Sequence, residues 1–340
     1  MSADINGFGR VVRTDCRQPS VAIVIPAHNE EHFIGKCLES CIDQTSTPDE
    51  IIVVNNRSTD ATASIVRRYQ TQHPEIDIRL LDQHDHLGIA PTRNRGFDDA
   101  HSDVIGRIDA DSIIAHDWVE TIRRRFRDPA IGAATGPVVY YDMPLRGVFF
   151  RLDRAVRAAL HRHATDQRFL LGANMAIRGS AWRAIGHLTR LDLEDQLHED
   201  IDLALTLVKN NVQVDYEPTL IAGMSGRRVE CAPRDFYRYA TRYLRTTRAH
   251  GVTSGPALVT IFILLLGYFP ARVLRFFYDT ENHRFTVTKL RATVCGVTGR
   301  IARDKQAKVI RPWAPDPPWA PDTAWAQRNR HPRPLPDQAA

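Results

Sequence analysis

In the first third of the chain the apolar positions fall into short runs, at 21–25, 51–54, 78–81 and 104–108. Between the runs the apolar residues thin to helical spacing. Phe33, Ile34, Cys37, Leu38 and Cys41 form one stripe within 30–45, Ser58 or Thr59 is placed to cap a helix that runs to about 72, and 91–100 reads as a third helix. Pro26 closes the first run. A strand that is apolar without alternation is buried on both faces, so this order predicts βαβ units around a parallel sheet. Ligands of such sheets gather beyond the carboxyl ends of the strands. Three of the four strand ends are polar: His28-Asn29-Glu30, Asn55-Asn56 and Asp109-Ala110-Asp111.

Further along the pattern is mixed. A strand is expected within 131–140, a basic amphipathic helix over 146–163, an extended stretch over 169–178, a short helix at 180–185 and another helix over 198–210. From Pro233 to about 250 a helix carries Arg234, Arg238, Arg242 and Arg245 on one side. It reads as a solvated basic face or as a stripe turned to phosphate or membrane. Residues 257–271 are uncharged and apolar, bracketed by Pro256 and Pro270. As a helix this segment would be about 22 Å long, short of the roughly 30 Å hydrocarbon layer. An interfacial or re-entrant segment, a buried helix and a span all remain open. Residues 311–340 are Pro-rich, with Trp313, Trp319 and Trp325 six apart, and are expected to be extended or disordered.

Charge sharpens this division. The net charge of +5 divides into 25 basic against 32 acidic residues over 1–226 and 20 against 8 over 227–340. The front is acidic and the rear basic, which suits an anionic partner at the rear. Nucleic acid is not expected there, because the rear holds an uncharged apolar run and no nucleic-acid motif. The five cysteines are too few and scattered for a disulfide framework, and Cys37 and Cys41 read as buried thiols. The first twenty residues carry no apolar run, so no leader peptide and a cytoplasmic setting are expected.

The chemistry concentrates at Asp109-Ala110-Asp111. Residues two apart on an extended backbone point the same way, and two carboxylates there call for a cation. Oxygen ligands with room for water and phosphate suit Mg²⁺ or Mn²⁺.

Six segments in order then resemble family 2 glycosyltransferases. They are 21–30 (VAIVIPAHNE), 53–60 (VVNNRSTD), Gly88 with 92–96 (TRNRG), 109–111 (DAD), 172–178 (GANMAIR) and 198–203 (HEDIDL). The resemblance spans about 20–250. It implies an α/β GT-A fold, mainly a parallel twisted sheet flanked by helices, and transfer of a sugar from a nucleotide-sugar donor. It implies a GT-A domain at 20–228 divided near 112 into nucleotide-binding and acceptor halves; before it lies an arm at 1–19, and after it a helical extension at 229–310, expected to associate with membrane on its basic charge and apolar run, and the tail. By resemblance, Pro26, Ala27 and Glu30 line the nucleotide pocket, Asn56 and Asp60 contact base and ribose, and Arg93 faces the diphosphate. Asp109 and Asp111 hold a divalent cation, Mn²⁺ or Mg²⁺, with Asp109 also near the ribose. Asp200 is the base on the acceptor hydroxyl, and Asn174, Glu199, Arg242 and Tyr243 lie on the acceptor or phosphate side.

The chain departs from the family twice. Asn55-Asn56 stands where Asp-Asp is frequent, which weakens any assignment of uracil, since an amide can donate as well as accept. Tyr239-x-x-Arg242-Tyr243 stands where some membrane-associated members carry Gln-x-x-Arg-Trp, which disfavours a processive synthase. The expected enzyme is an inverting transferase at the cytoplasmic face of a membrane, acting on a lipid-linked or envelope-glycan acceptor. Two alternatives are a sugar-phosphate nucleotidyltransferase and a non-catalytic nucleotide- or membrane-binding scaffold. The first needs a Gly-rich basic loop after the first strand, where PAHNEEHFIGK is acidic; the second leaves Asp109, Asp111 and Asp200 without purpose. Asp200 opens a helix, where N–H groups lower a carboxylate pKa, while neighbouring acids raise it; the sequence leaves that contest open.

Overall fold

The computed structural model describes residues 17–163, 168–253, 255–280 and 284–286. The arm before residue 17, the stretch beyond 286 and the tail with its three tryptophans lie outside the described residues.

The predicted βαβ series is present: β1 (Val21–Ala27), α1 (Ile34–Ile42), β2 (Glu50–Asn55), α2 (Thr62–Gln72), β3 (Ile78–Asp82), α3 (Ile89–Asp99) and β4 (Val104–Arg107). β3, β2, β1 and β4 lie side by side and parallel. The side chains of β1, β2 and β4 are buried on both faces, Val21, Ile23 and Ile25 in one core and Ala22 and Val24 in the other, while the edge strand β3 is only half-buried. β5 (Ile113–Ile114), α4 (Trp118–Arg125), β6 (Ile131–Thr135), β7 (Val138–Tyr140), α5 (Arg146–His163), β8 (Met175–Arg178), α6 (Gly179–Ile185), α7 (Glu199–Lys209), β9 (Gln213–Tyr216) and β10 (Ala222–Met224) follow. β8 joins β4 antiparallel, and β6 and β9 complete a seven-stranded sheet of order β3-β2-β1-β4-β8-β6-β9. A small sheet, β5-β10-β7, stands apart from it.

Several local expectations are corrected. Pro26 does not end β1, which continues to Ala27. The Val24 carbonyl accepts from Ile108 N–H on the β4 side. Pro26, two residues on, faces that same side where β4 has finished, so its missing N–H costs no ladder bond. α2 is capped neither by Ser58 nor by Thr59: the Asp60 carboxylate accepts from both N–H and Oγ1 of Thr62. The strand expected in 131–140 is two strands, and only the last four residues of 169–178 pair.

The largest correction concerns the rear. α8 (Pro233–Ala249) lies where the arginine periodicity predicts it, but α9 runs from Gly255 to Phe276 straight through Pro270. Its 22 residues make about 33 Å, enough for a hydrocarbon layer. The window 257–276 has a mean hydropathy of 2.1 and is only 17% buried. Leu258, Val259, Phe262, Ile263, Leu266, Phe269 and Val273 are exposed. The opposite side is tied to the body. Tyr268 stacks on Phe236 at 4.3 Å and donates to the Cys231 carbonyl, Arg272 reaches the carbonyls of 229–231, and Arg275 pairs with Asp142 and Glu230.

Candidate active site

The loops after β1 and β2 are stitched together at the carboxyl edge of the sheet. His28 Nδ1 meets the Asn56 carbonyl at 2.6 Å, Thr59 N–H donates to Asn29 Oδ1, and Glu30 N–H donates to Thr62 Oγ1. Asn29 takes a positive φ of 55°, a conformation Asn tolerates well. Asp60 also accepts from Glu31 N–H. Burial pushes its carboxyl up, but the bonds from Thr62 and Glu31 outweigh that and leave it below the ordinary value. Asp60, expected at the ribose, therefore acts here as a clamp between the two loops.

Asn56 is buried. Its Nδ2 donates to the carbonyls of His86 and Gly88 and to Thr92 Oγ1, and two carbonyl acceptors fix the orientation of the amide. Its Oδ1 is buried without a protein partner. The amide's donors are thus used up and its acceptor is left, which is what a carboxylate would present.

Arg93, expected at the diphosphate, is fully buried. It donates to the Glu199 carbonyl at 2.7 Å and to Asn94, and stands 5.9 Å from the Trp182 ring. Burial lowers it to about 10. Its helix lies close on the sheet because residue 96 is glycine; a Cβ there would come within 2.4 Å of Val24. Asn174, expected on the acceptor side, is also fully buried. It accepts from Trp118 Nε1 and donates to the carbonyls of Pro137 and Leu220, so its amide knits the two sheets together.

The centre of the site is a residue the sequence did not single out. Arg107, last in β4 and 1% exposed, donates to Asp109 at 2.8 Å and to Glu199 at 2.7 Å. One guanidinium thereby joins the Asp-x-Asp to the first residue of α7. Gly172 makes room for it; a Cβ at 172 would lie 1.8 Å from Arg107 Nη1. Burial pushes the Glu199 carboxyl up, but Arg107 and Arg93 outweigh it and hold it below its ordinary value.

Asp200, beside Glu199, accepts from Gly172 N–H at 2.9 Å and from Ile201 N–H at 2.8 Å. Burial and the Glu199 charge nevertheless raise it to about 7. Glu199 supplies the opposing charge; Asp202 is occupied by Arg190 and His250. His198, also missed, is buried between Tyr239 and Tyr243, with ring centroids 4.8 and 4.1 Å away, and burial lowers it to about 4. Arg242 turns away to an exposed ion pair with Asp195.

Beyond β4, Asp111 is mostly buried. Burial and the Asp109 charge raise it to about 7, against the pull of Arg227. Arg227, on the turn after β10, forms an ion pair with Asp111, Nε to Oδ2 at 2.9 Å, and donates to Glu30 through Nη1 and Nη2 at 3.0 and 2.6 Å. Asp109 and Asp111 offer the hard carboxylate oxygens a divalent ion takes, each paired with an arginine, and among the described residues no group of three or more metal-ligating side chains occurs.

Residues 104–288, more than half of the chain, match the model of Glycosyl transferase family group 2, and residues 22–183 match that of Glycosyl transferase family 2. The chain belongs to the family 2 glycosyltransferases. Similar proteins include glycosyltransferase GlyA of Streptococcus pneumoniae, 32% identical over 132 residues that cover 38% of this chain and 18% of that protein. GlyG of the same organism is 25% identical over 157 residues, 44% of this chain and 52% of that protein. The matched stretches thus span 18% and about half of these relatives' own lengths. Among solved structures, a mannosyltransferase from Pyrobaculum calidifontis, in complex with GDP-Man and Mn²⁺, aligns with a TM-score of 0.53 at 18% identity, covering 83% of this chain and 81% of that one. This likeness agrees with the expected GT-A fold.

Proposed function

We propose that the chain transfers a sugar from a nucleotide-sugar donor to a hydroxyl acceptor, with inversion at the anomeric carbon and a divalent cation, Mn²⁺ or Mg²⁺, in the donor site. The observation that carries this reading is Arg107, whose one guanidinium fixes the distance between the donor-side acid Asp109 and the helix start that bears Asp200. The complex of the similar mannosyltransferase with GDP-Man and Mn²⁺ supports the donor class and the cation.

Pro26, Ala27 and Glu30 edge the nucleotide pocket, and Asn56, buried behind it, holds the 86–88 backbone that frames the base. Asp60 and Arg93 shape the pocket from behind. Asp109 and Asp111 would hold the cation, which when bound neutralises the departing diphosphate. Asp200 takes the acceptor hydroxyl proton as that oxygen bonds to the anomeric carbon and the bond to the nucleoside diphosphate breaks. Burial and Glu199 make Asp200 a stronger base than an ordinary carboxylate.

The proposed setting is the cytoplasmic face of a membrane, with a lipid-linked or cell-envelope glycan as acceptor. Support comes from the exposed apolar side of α9 and the basic residues of α8 beside it. Tyr268, Arg272 and Arg275 hold α9 to the body, which favours a helix lying in the interface over one that leaves the body to span.

A donor screen tests the reading: thermal shift with Mn²⁺ across UDP-, GDP- and dTDP-sugars, then transfer with the donor that binds. Asp200→Asn should retain donor affinity and lose turnover. Normal turnover in that variant removes Asp200 as the base.

A further inference from the structure

Arg227 occupies the donor-side acids in a way that neither the family resemblance nor the sequence pattern announces. Its three guanidinium nitrogens are all engaged, one on Asp111 and two on Glu30, and its plane lies 4.7 Å from the centroid of Phe33. Glu30 lies in the loop after β1 and Asp111 in the turn after β4, so a side chain from residue 227 bridges the two loops at these strand ends. It is the charge that lets two carboxylates lie close together in a partly dry site.

The backbone that carries Arg227 is fixed. Ser225 Oγ and Gly226 N–H each bond Asp142 at 2.6 Å, Arg227 N–H donates to Ser225 Oγ, and Asp142 is itself paired with Arg275 of α9. The side chain is less confined, with 40% of its surface exposed. An anchored backbone with a half-exposed guanidinium allows the charged head to shift while the turn stays in place.

We propose that Arg227 is a resident counter-cation that competes with the divalent ion for Asp111 and, once displaced from it, pairs with the donor diphosphate. This inference rests on the proposed metal-dependent transfer at the same site. A metal ion bound to Asp111 and a guanidinium on the same carboxylate repel each other, so binding of the ion weakens the Arg227–Asp111 pair. The guanidinium is then one side-chain rotation from a new anion, and a diphosphate is the anion this site would bring. Arg227 thus has opposite effects on two ligands: it opposes the ion when donor is absent and supports the donor when the ion is present.

The opposite signs give the test. Mn²⁺ binding to the donor-free full chain is read by electron paramagnetic resonance of the free ion, and binding of UDP and GDP at saturating Mn²⁺ by calorimetry. Arg227→Gln is expected to bind Mn²⁺ at least tenfold more tightly than the parent and the nucleotide diphosphate at least tenfold more weakly. Arg227→Lys, which keeps the charge, should fall between. Arg228→Gln serves as the control, since Arg228 lies over Tyr239 at 4.5 Å and not on the acids; it should leave Mn²⁺ affinity unchanged. A merely structural role for Arg227 would weaken both ligands together, and that result overturns the proposal. So does an Mn²⁺ affinity that Arg227→Gln leaves unchanged. Failure of glycosyl transfer itself would show instead as absence of product with every donor while the Mn²⁺ shift persists.

Discussion

Arg107 and Glu199, 92 residues apart in the chain, meet at 2.7 Å in the interior and lock the start of α7 to the end of β4. The pair is dry on the Arg107 side and shares its guanidinium with Asp109. Removing one partner of such a pair leaves an uncompensated buried charge, at a cost of about 3–5 kcal/mol. Arg107→Ala should therefore lose that order of stability in urea unfolding, and Gly172→Ala should lose stability as well by driving a methyl into the same guanidinium. An Arg107→Ala variant as stable as the parent would mean the pair carries no net weight.

The pH profile of transfer should report Asp200. With its carboxyl raised to about 7, kcat/KM should rise through pH 7 and level off above it. Glu199→Gln removes the adjacent negative charge and frees Arg107, and both changes lower Asp200, so the midpoint should move to lower pH. Stability runs the other way. A carboxyl that binds its proton more tightly folded than unfolded favours the fold at low pH, so its contribution is lost as pH rises from about 4 to about 7. A midpoint that Glu199→Gln leaves in place would separate the profile from Asp200.

Much of the fold is legible because burial writes itself as short apolar runs and helical stripes; β1, β2, β3 and α5 through α8 lie within a few residues of where those patterns place them. The polar ends of β1, β2 and β4 likewise announce the site. What the pattern hides is pairing at long range. Arg107 looks like an interruption in an apolar run until Glu199 is brought to it, and Arg227 reaches Glu30 across 197 residues. Arg93 and Asn174 belong to motif segments yet are wholly internal. A motif residue placed to shape a pocket and one placed to touch a ligand have the same letter. Pro270 misleads for another reason: the helix around it is long enough, and packed well enough on α8, to absorb one lost hydrogen bond.

Asn56 should not tolerate the aspartate common elsewhere in the family. Its Nδ2 faces the carbonyls of His86 and Gly88, and a carboxylate there would set oxygen against oxygen. Asn56→Asp is expected to destabilise the fold by about 1–3 kcal/mol, the cost of buried groups left without partners. Asn56→Leu should lower the affinity for UDP or GDP while sparing the sugar preference. A fully stable Asn56→Asp with unchanged nucleotide affinity would show that the amide orientation has no bearing on base recognition.

Phe262 and Leu266 are 66% and 67% exposed, one turn apart on the side facing away from the body. Burying two such side chains in lipid is worth roughly 1.5–3 kcal/mol each. Phe262→Asp with Leu266→Asp should therefore reduce partition onto anionic liposomes at least tenfold and leave the melting temperature of the body unchanged. Added salt should weaken binding of the parent too, because α8, which packs against α9, carries Arg234, Arg238, Arg242, Arg245 and Arg248. An interfacial helix is released by an alkaline carbonate wash, whereas a spanning one resists it. Resistance would mean that Arg272 and Arg275 give up their contacts with 229–231 and Asp142 in the membrane. Since Asp142 anchors the turn of Arg227, the donor site would then change with it.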